Sequence, residues 1–407
     1  MKSIKTVLTL ILGLIIIIFA IILSPLIKIR FGYIITSRIG QLCYNLDNYL
    51  SHKKTNNLDE LAIFNYDKKI SNKLIFKLFS KKKNIIFSKI ALPPIIFLKT
   101  MYPLKYHSFH SIIKDKTQKN LNYPFIFRYF ISHIDILHPR ITNYSMMPSN
   151  INLDKFKFKE LGLFQELKKD RFICFHNRDE SYQVINDANN HDFRNFDFND
   201  YSLVIEYLKK KNNSVIKLGE TFPEENFKIP EGSFFSSKDF SLNEEIDYLL
   251  NSYSRYNIIG NSGIVGISYI LRKKIIYANL IPLNLSNLSY CSPGSIILPK
   301  KIFDNQKGRL LTFRENTEIN FSIHSEDDPY FKNNLRVINN SPQEILDAAI
   351  EMDERLEGNS INSDAAKFND QFWKSIINNN EEKINFLKNE LKLSVSYKFL
   401  KDNQNLL

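Results

Sequence analysis

An arginine placed directly after a buried strand can hold a diphosphate, and the segment His176-Asn177-Arg178-Asp179-Glu180-Ser181-Tyr182 puts one there. It follows the apolar run Phe172 to His176, at the carboxyl end of a strand, where open α/β sheets bind their ligands. Arg178 offers paired, charge-assisted hydrogen bonds to phosphate oxygens, and His176 and Asp179 are close enough to orient it or to act as acid or base. The same polar residues also suit a solvated, salt-bridged turn. A second element, Gly260-Asn261-Ser262-Gly263-Ile264-Val265-Gly266, joins a strand to a helix, where small residues let backbone amides approach an anion. No Lys-Ser/Thr pair follows it and its spacing departs from the dinucleotide fingerprint, which disfavours NTP hydrolysis and NAD binding. Tight packing of strand against helix would account for these glycines as well. If the two elements converge, a cationic side chain and oriented amides together neutralise a nucleoside diphosphate leaving group. With no Asp-x-Asp motif and no His or Cys cluster of metal-ligand spacing, a metal-free route is expected, with no cofactor beyond the donor.

Both elements need a sheet to hold them. Phe172 to His176, Ser214 to Leu218, Tyr256 to Ile259 and Ile275 to Ala278 read as strands. Helical stripes lie between them, at Tyr201, Val204, Ile205 and Leu208, at Leu242 to Tyr253, and at Ile264 to Leu271. That alternation predicts right-handed crossovers and a parallel, Rossmann-like sheet. Ser341-Pro342-Gln343-Glu344 has the form of a capping box and opens a helix that Gly358 ends. Nearer the N-terminus, Ile29 to Ile35, Leu61 to Phe64 and Asn84 to Phe87 are short apolar runs separated by helix-like sequence, which predicts a first α/β lobe. The expected class is therefore α/β with two Rossmann-like lobes: residues 28–165, then 166–358, and a helical tail over 359–407 docked by Phe372 and Trp373.

Ahead of the lobes, Thr6 to Ile27 carries no charge and is dominated by Leu and Ile, which is long enough for one transmembrane helix over residues 6–27. A cleaved signal peptide would have a shorter apolar stretch with small residues at its end. The net charge of +12 is spread along the chain, with no basic arm or groove-reading motif; it suits lipid headgroups or nucleotide phosphates and not nucleic acid. Cys43, Cys174 and Cys291 are odd in number and widely spaced, which fits a reducing compartment and places the catalytic region on the cytoplasmic side of a single-pass protein of the inner membrane.

An ordered set of segments carries a likeness: Ser37-Arg38-Ile39-Gly40, Phe175 to Asp179, Arg194-Asn195, Val215 to Gly219, Gly260 to Gly263, and the helix from Pro342 to Gly358. Over most of residues 30–375 the chain resembles an uncharacterised bacterial family of cell-surface polysaccharide glycosyltransferases. The resemblance implies the two-lobed GT-B type fold, and the strand-end His-x-Arg is similar to one in fucosyltransferases, where the arginine holds the donor diphosphate. By that likeness Arg178 clamps the donor, with Asn261, Ser262 and Gly263 at its phosphates. Asp179 leads as the catalytic base, beside His176, with Glu220 next. Arg38 and Gly40 would serve the acceptor, although Gln41 stands where the family's pattern has His. The implied activity moves a sugar from a nucleotide-diphosphate donor to an envelope polysaccharide or a lipid-linked acceptor. A sugar-nucleotide epimerase and a non-catalytic envelope assembly protein of the same fold are the alternatives.

Overall fold

The computed structural model describes residues 2–55, 57, 59–101, 130–131, 172–178, 192–219, 233–235, 244–319, 328–359, 363–376 and 381–407. The chain divides into two compact units, Met1–Ile141 and Thr142–Leu407. The expected lobe boundary at 165/166 lies outside the described residues.

The first unit opens with helix α1 (Lys2–Leu23), which is long and apolar enough to cross a membrane. It stops short of the expected Ile27, because Pro25 cannot continue the hydrogen-bonded ladder and residues 24–26 turn instead. Strand β1 (Lys28–Ile34), helix α2 (Ile39–Thr55), strand β2 (Glu60–Tyr66), helix α3 (Lys73–Ser80), strand β3 (Ile85–Phe87) and helix α4 (Leu92–Met101) follow, and β4 (Phe130–Ile131) completes the sheet. The order is β3-β2-β1-β4, all parallel, so the chain steps outward from β1 and then returns to its other side. At the carboxyl edge the loop after β1 is tied to the loop after β2. The Asp67 carboxylate accepts from the Ser37 amide (2.9 Å), the Ser37 hydroxyl (2.6 Å) and the Tyr33 hydroxyl, and the Thr36 hydroxyl donates to the Lys69 carbonyl (2.9 Å). Arg38 stands exposed beside this tie, at the start of α2.

The second unit is built on seven parallel strands: β5 (Phe172–His176), β6 (Ser214–Lys217), β7 (Ser233–Phe235), β8 (Asn257–Ile259), β9 (Ile275–Leu280), β10 (Ile296–Pro299) and, from the far end of the chain, β14 (Ser394–Val395). Their order is β14-β10-β9-β8-β5-β6-β7. Helices α5 (Ser202–Lys210), α6 (Glu244–Tyr253) and α7 (Val265–Leu271) make the crossovers, as the alternating pattern predicts. The expected α/β class with two Rossmann-like units is what the two sheets present. A small antiparallel sheet, β12-β11-β13, made of β11 (Lys301–Asp304), β12 (Arg309–Leu310) and β13 (Leu335–Ile338), follows β10.

Helix α8 (Pro342–Leu356) carries the expected capping box, and Gly358 takes φ +77 at its end. Its start is fastened to the sheet. Asn340 and Asn279 exchange backbone-to-side-chain hydrogen bonds of 2.6 and 2.7 Å, and the Asn340 side-chain Nδ2 also donates to the Pro299 carbonyl at 3.0 Å. The segment expected as a tail does more than dock. Phe372 and Trp373 of α9 (Ser363–Ser375) are buried, and Asn369 on the same helix bonds both the N–H and the C=O of Val395, which holds β14 as an edge strand ahead of α10 (Tyr397–Asp402).

Burial pushes the Asp67 carboxyl up, but its hydrogen bonds from Ser37 and Tyr33 outweigh that and leave it below its ordinary value of 3.8. Its contribution is therefore complete above pH 3.8 and is lost as pH falls through the lowered pKa. Asp67→Asn is expected to cost about 1–2 kcal/mol at neutral pH, and the gap in melting temperature between wild type and variant should close on acidification.

Candidate functional site

Strand order locates the place where a ligand fits. The chain runs outward from β5 through β6 to β7, then returns to lay β8, β9 and β10 on the other side, so the sheet reverses between β5 and β8. Loops leaving the carboxyl ends of two such neighbours diverge to opposite faces and open a crevice between them. His176 ends β5 opposite Ile259, the last residue of β8. Arg178 and Ser262 are each a few residues beyond, so the two sequence elements stand side by side at this switch point.

His176 is the centre of the arrangement. Its backbone carbonyl accepts the Gly260 amide (2.9 Å) and the Tyr201 hydroxyl (3.0 Å). Its Nδ1 lies 3.1 Å from Ser262 Oγ, a hydrogen bond across β5 and β8. The other side of the imidazole faces Gly219 at the end of β6. A Cβ there would lie 3.3 Å from Cδ2 and 3.4 Å from Nε2, and the residue's φ of +94 favours glycine independently. Three βα loops thus meet on one ring, which is half-buried and able to exchange a proton with a group above it.

The 260–263 loop is held from below. Asn257 donates to Asn251 (2.7 Å) and to Ser268 (3.0 Å), and the Ser268 hydroxyl donates to Asn251 (2.8 Å), which locks α6, β8 and α7 together. Asn261, expected at the phosphates, has its side chain committed to the sheet: its oxygen takes the Tyr277 hydroxyl (3.0 Å) and its amide donates to the Ile281 carbonyl. What this loop presents is backbone. Gly263 is exposed and Ser262 half-buried, and the amides of Ser262, Gly263 and Ile264 take no hydrogen bond among the described residues. The helix behind them, α7, has seven residues, so its dipole is short and an anion here would rely on the amides themselves.

Arg178 is buried, with 4% of its surface exposed, and does not project from the loop as a sequence reading suggests. The cause is the strip 192–201, which crosses the edge of the sheet. Phe196 donates its amide to the Arg178 carbonyl (3.1 Å), and Asn177 returns a bond to the Phe196 carbonyl (3.1 Å). The Phe196 ring lies on Gly260 so closely that a Cβ would fall 2.1 Å from Cε1. That contact explains the glycine better than access by an anion does. Asp179 and Glu220 lie outside the described residues.

Sequence reasoning missed what pins this strip. Lys300, at the carboxyl end of β10, is buried and donates from Nζ to the carbonyls of Phe193 (2.8 Å) and Asn195 (2.9 Å). Burial pushes its ammonium down to about 7, against the pull of Asp200. Burial, then the charge of Asp197, push the Asp200 carboxyl up to about 6. The available sequence cue was a lysine closing an apolar strand, with the alternation Phe193, Phe196 and Phe198 among charged residues as its counterpart.

Folded Lys300 holds its proton less tightly than an unfolded lysine, so its contribution to stability is lowest below about 7 and grows as pH rises toward 10.5. Asp200 holds its proton more tightly when folded, so its contribution falls as pH rises from 3.8 to about 6. In Lys300→Met the upper rise should vanish: the excess melting temperature of wild type over variant should widen from pH 7 upward, as followed by calorimetry across the pH series.

No known family model matches the sequence, and no curated protein matches it. Solved structures that superpose on it include E. coli ADP-heptose lps heptosyltransferase II, at 11% identity and a TM-score of 0.45 over 81% of this chain and 100% of that one. They also include E. coli heptosyltransferase WaaC with ADP-2-deoxy-2-fluoro heptose, at 9% identity and a TM-score of 0.32 over 60% and 87%. A third is the dodecameric iron-containing heptosyltransferase TibC in complex with ADP-D-beta-D-heptose, at 12% identity and 0.36 over 73% and 67%. At these scores the α/β class rests on strand order alone.

Proposed function

We propose that the protein is a glycosyltransferase of the GT-B type that moves a sugar from a nucleotide-diphosphate donor to an envelope polysaccharide or a lipid-linked acceptor at the inner membrane. The observation that carries this reading is the hydrogen bond of His176 to Ser262 beside the 262–264 amides at the switch point of a parallel sheet, with Arg178 buried two residues beyond the histidine. A nucleoside diphosphate is what that combination fits: amides for phosphate oxygens, an imidazole for the proton that moves in transfer, and the buried charge of Arg178 as an electrostatic complement. Ser262 holds the ring from Nδ1 and Gly219 leaves room beside it, so His176 meets a ligand in one orientation.

In this reading the leaving diphosphate is neutralised by Arg178 and the loop amides, without a divalent metal or another cofactor. Asp179 is the proposed base, beside His176. The first unit serves the acceptor through the loop bearing Arg38, which its hydrogen bonds to the neighbouring loop hold in place. The apolar α1 brings that acceptor side to a lipid surface, with the catalytic region on the cytoplasmic face.

Titration of purified full-length protein with a sugar-nucleotide panel, followed by mass spectrometry of the products, tests the proposal. Wild type is expected to bind one donor and form a glycosidic product; release of an isomerised sugar nucleotide would favour an epimerase, and no binding a non-catalytic protein. Arg178→Ala is expected to weaken donor binding by about 2–5 kcal/mol, thirtyfold or more. Arg178→Lys keeps the buried charge with a smaller head group, so it should fall between the two. Unchanged affinity in a folded Arg178→Ala would remove the clamp from the mechanism.

A further inference from the structure

Helix α1 is apolar on every side but is not uncovered on every side. Positions three or four apart, through Leu10, Gly13, Ile17 and Ala20, are partly or fully buried. Gly13 lets the backbone of α4 come close: a Cβ would meet the Pro93 carbonyl oxygen at 2.4 Å and Phe97 Cβ at 2.8 Å. Ile17 and Ala20 share a core with Phe31 of β1, Ala91, Ile95 and Leu98, and Ile29 and Ile63 pack against it. The helix is thus a layer of the first unit, laid over its sheet.

The opposite half remains bare. Ile4, Leu8, Ile11, Ile15, Phe19 and Ile22 are all exposed, Ile4 by 64% and Ile22 by 65%, and at 100° per residue the uncovered positions sweep roughly half the circumference. The turn that places Ala91 in the shared core adds exposed Ile90 and Leu92. A continuous apolar face of this kind marks a surface built to contact a membrane or another protein. A protein partner would find almost no hydrogen-bonding group to direct it. A bilayer needs none, and Lys5 and Lys28, both exposed, flank the surface at its two ends where anionic headgroups would lie.

A helix that crosses alone is clear of its own protein for about 20 residues. Here the buried positions begin at Thr9, which leaves Ile4 to Leu8, about 7.5 Å at 1.5 Å per residue, against a hydrocarbon core of about 30 Å. To cross, α1 would draw α4 and β1 in with it, together with the ion pair of Arg30 and Glu60 (2.6 Å), where charge is costly. We infer that α1 lies in the plane of a membrane surface, its bare half sunk among acyl chains and its covered half fixed to the first unit, rather than spanning the bilayer. This placement replaces the single-pass anchor expected from length and stands whether or not the second unit transfers sugar.

Two single substitutions in the full-length protein test it, Lys5→Cys and Lys28→Cys, at the exposed headgroup-level positions on either end of the helix; the native Cys43, Cys174 and Cys291 are buried. After expression in a bacterial host, right-side-out and inverted membrane vesicles are treated with a membrane-impermeant maleimide. Both sites are expected to react in one preparation and neither in the other. Reaction of one site in each preparation means the helix crosses, and overturns the inference. So do recovery of the protein in the soluble fraction, loss of the Lys5→Cys site by cleavage, and silence of both sites until detergent is added.

Discussion

The reversal of strand order between β5 and β8 is the constraint on which the second unit depends. Because those strands are neighbours while their crossovers leave toward opposite faces, the carboxyl edge there is open backbone that something must satisfy. One acceptor, the carbonyl of His176, takes the first share by receiving Gly260 and Tyr201 together. With that carbonyl fixed, the imidazole, the glycine-containing loop and the strip 192–201 have little freedom left. The ring has Ser262 on one side and Gly219 on the other, and Phe196 closes over Gly260.

The polar groups around this point divide by depth. Asn251, Asn257 and Ser268 satisfy one another beneath the loop, and Asn261 is absorbed between Tyr277 and Ile281. Those are structural bonds in a low-dielectric interior, where leaving a partner unmade is expensive. Above them Ser262, Gly263 and the His176 ring retain access to solvent. Arg178 is a cation held within the cover itself, and Lys300, whose ammonium burial pushes down to about 7, joins it in acid, so positive charge lies within the cover although no guanidinium reaches its surface.

Strands β1 to β3, β5, β6, β8 and β9 were legible because parallel strands buried on both faces read as continuous apolar runs, and Phe172 to His176 matches β5 residue for residue. The capping box at Ser341 was legible because its chemistry is local. The short strands β4, β7, β10 and β14 and the small sheet β11 to β13 were not: two to four residues pairing with partners far along the chain leave no periodicity of their own. The same holds at the site. His176 and Ser262 could be named from their loops, but the burial of Arg178 follows from Phe196, and Lys300 matters only because the fold brings two carbonyls over it. Length and hydropathy showed α1 long enough to span; its contact with Pro93, which packs it into the first unit, is invisible in one dimension.

The edge strand β14 has a bearing on biogenesis. The seven-stranded sheet cannot close until residues 394–395 have been synthesised, since β10 waits for them along one side and Asn369 grips Val395 by its main chain. All strands of the first sheet, and α1 with them, emerge some 260 residues earlier. During synthesis, therefore, the apolar N-terminal helix and the sheet it packs on are complete while the larger sheet still lacks its edge strand.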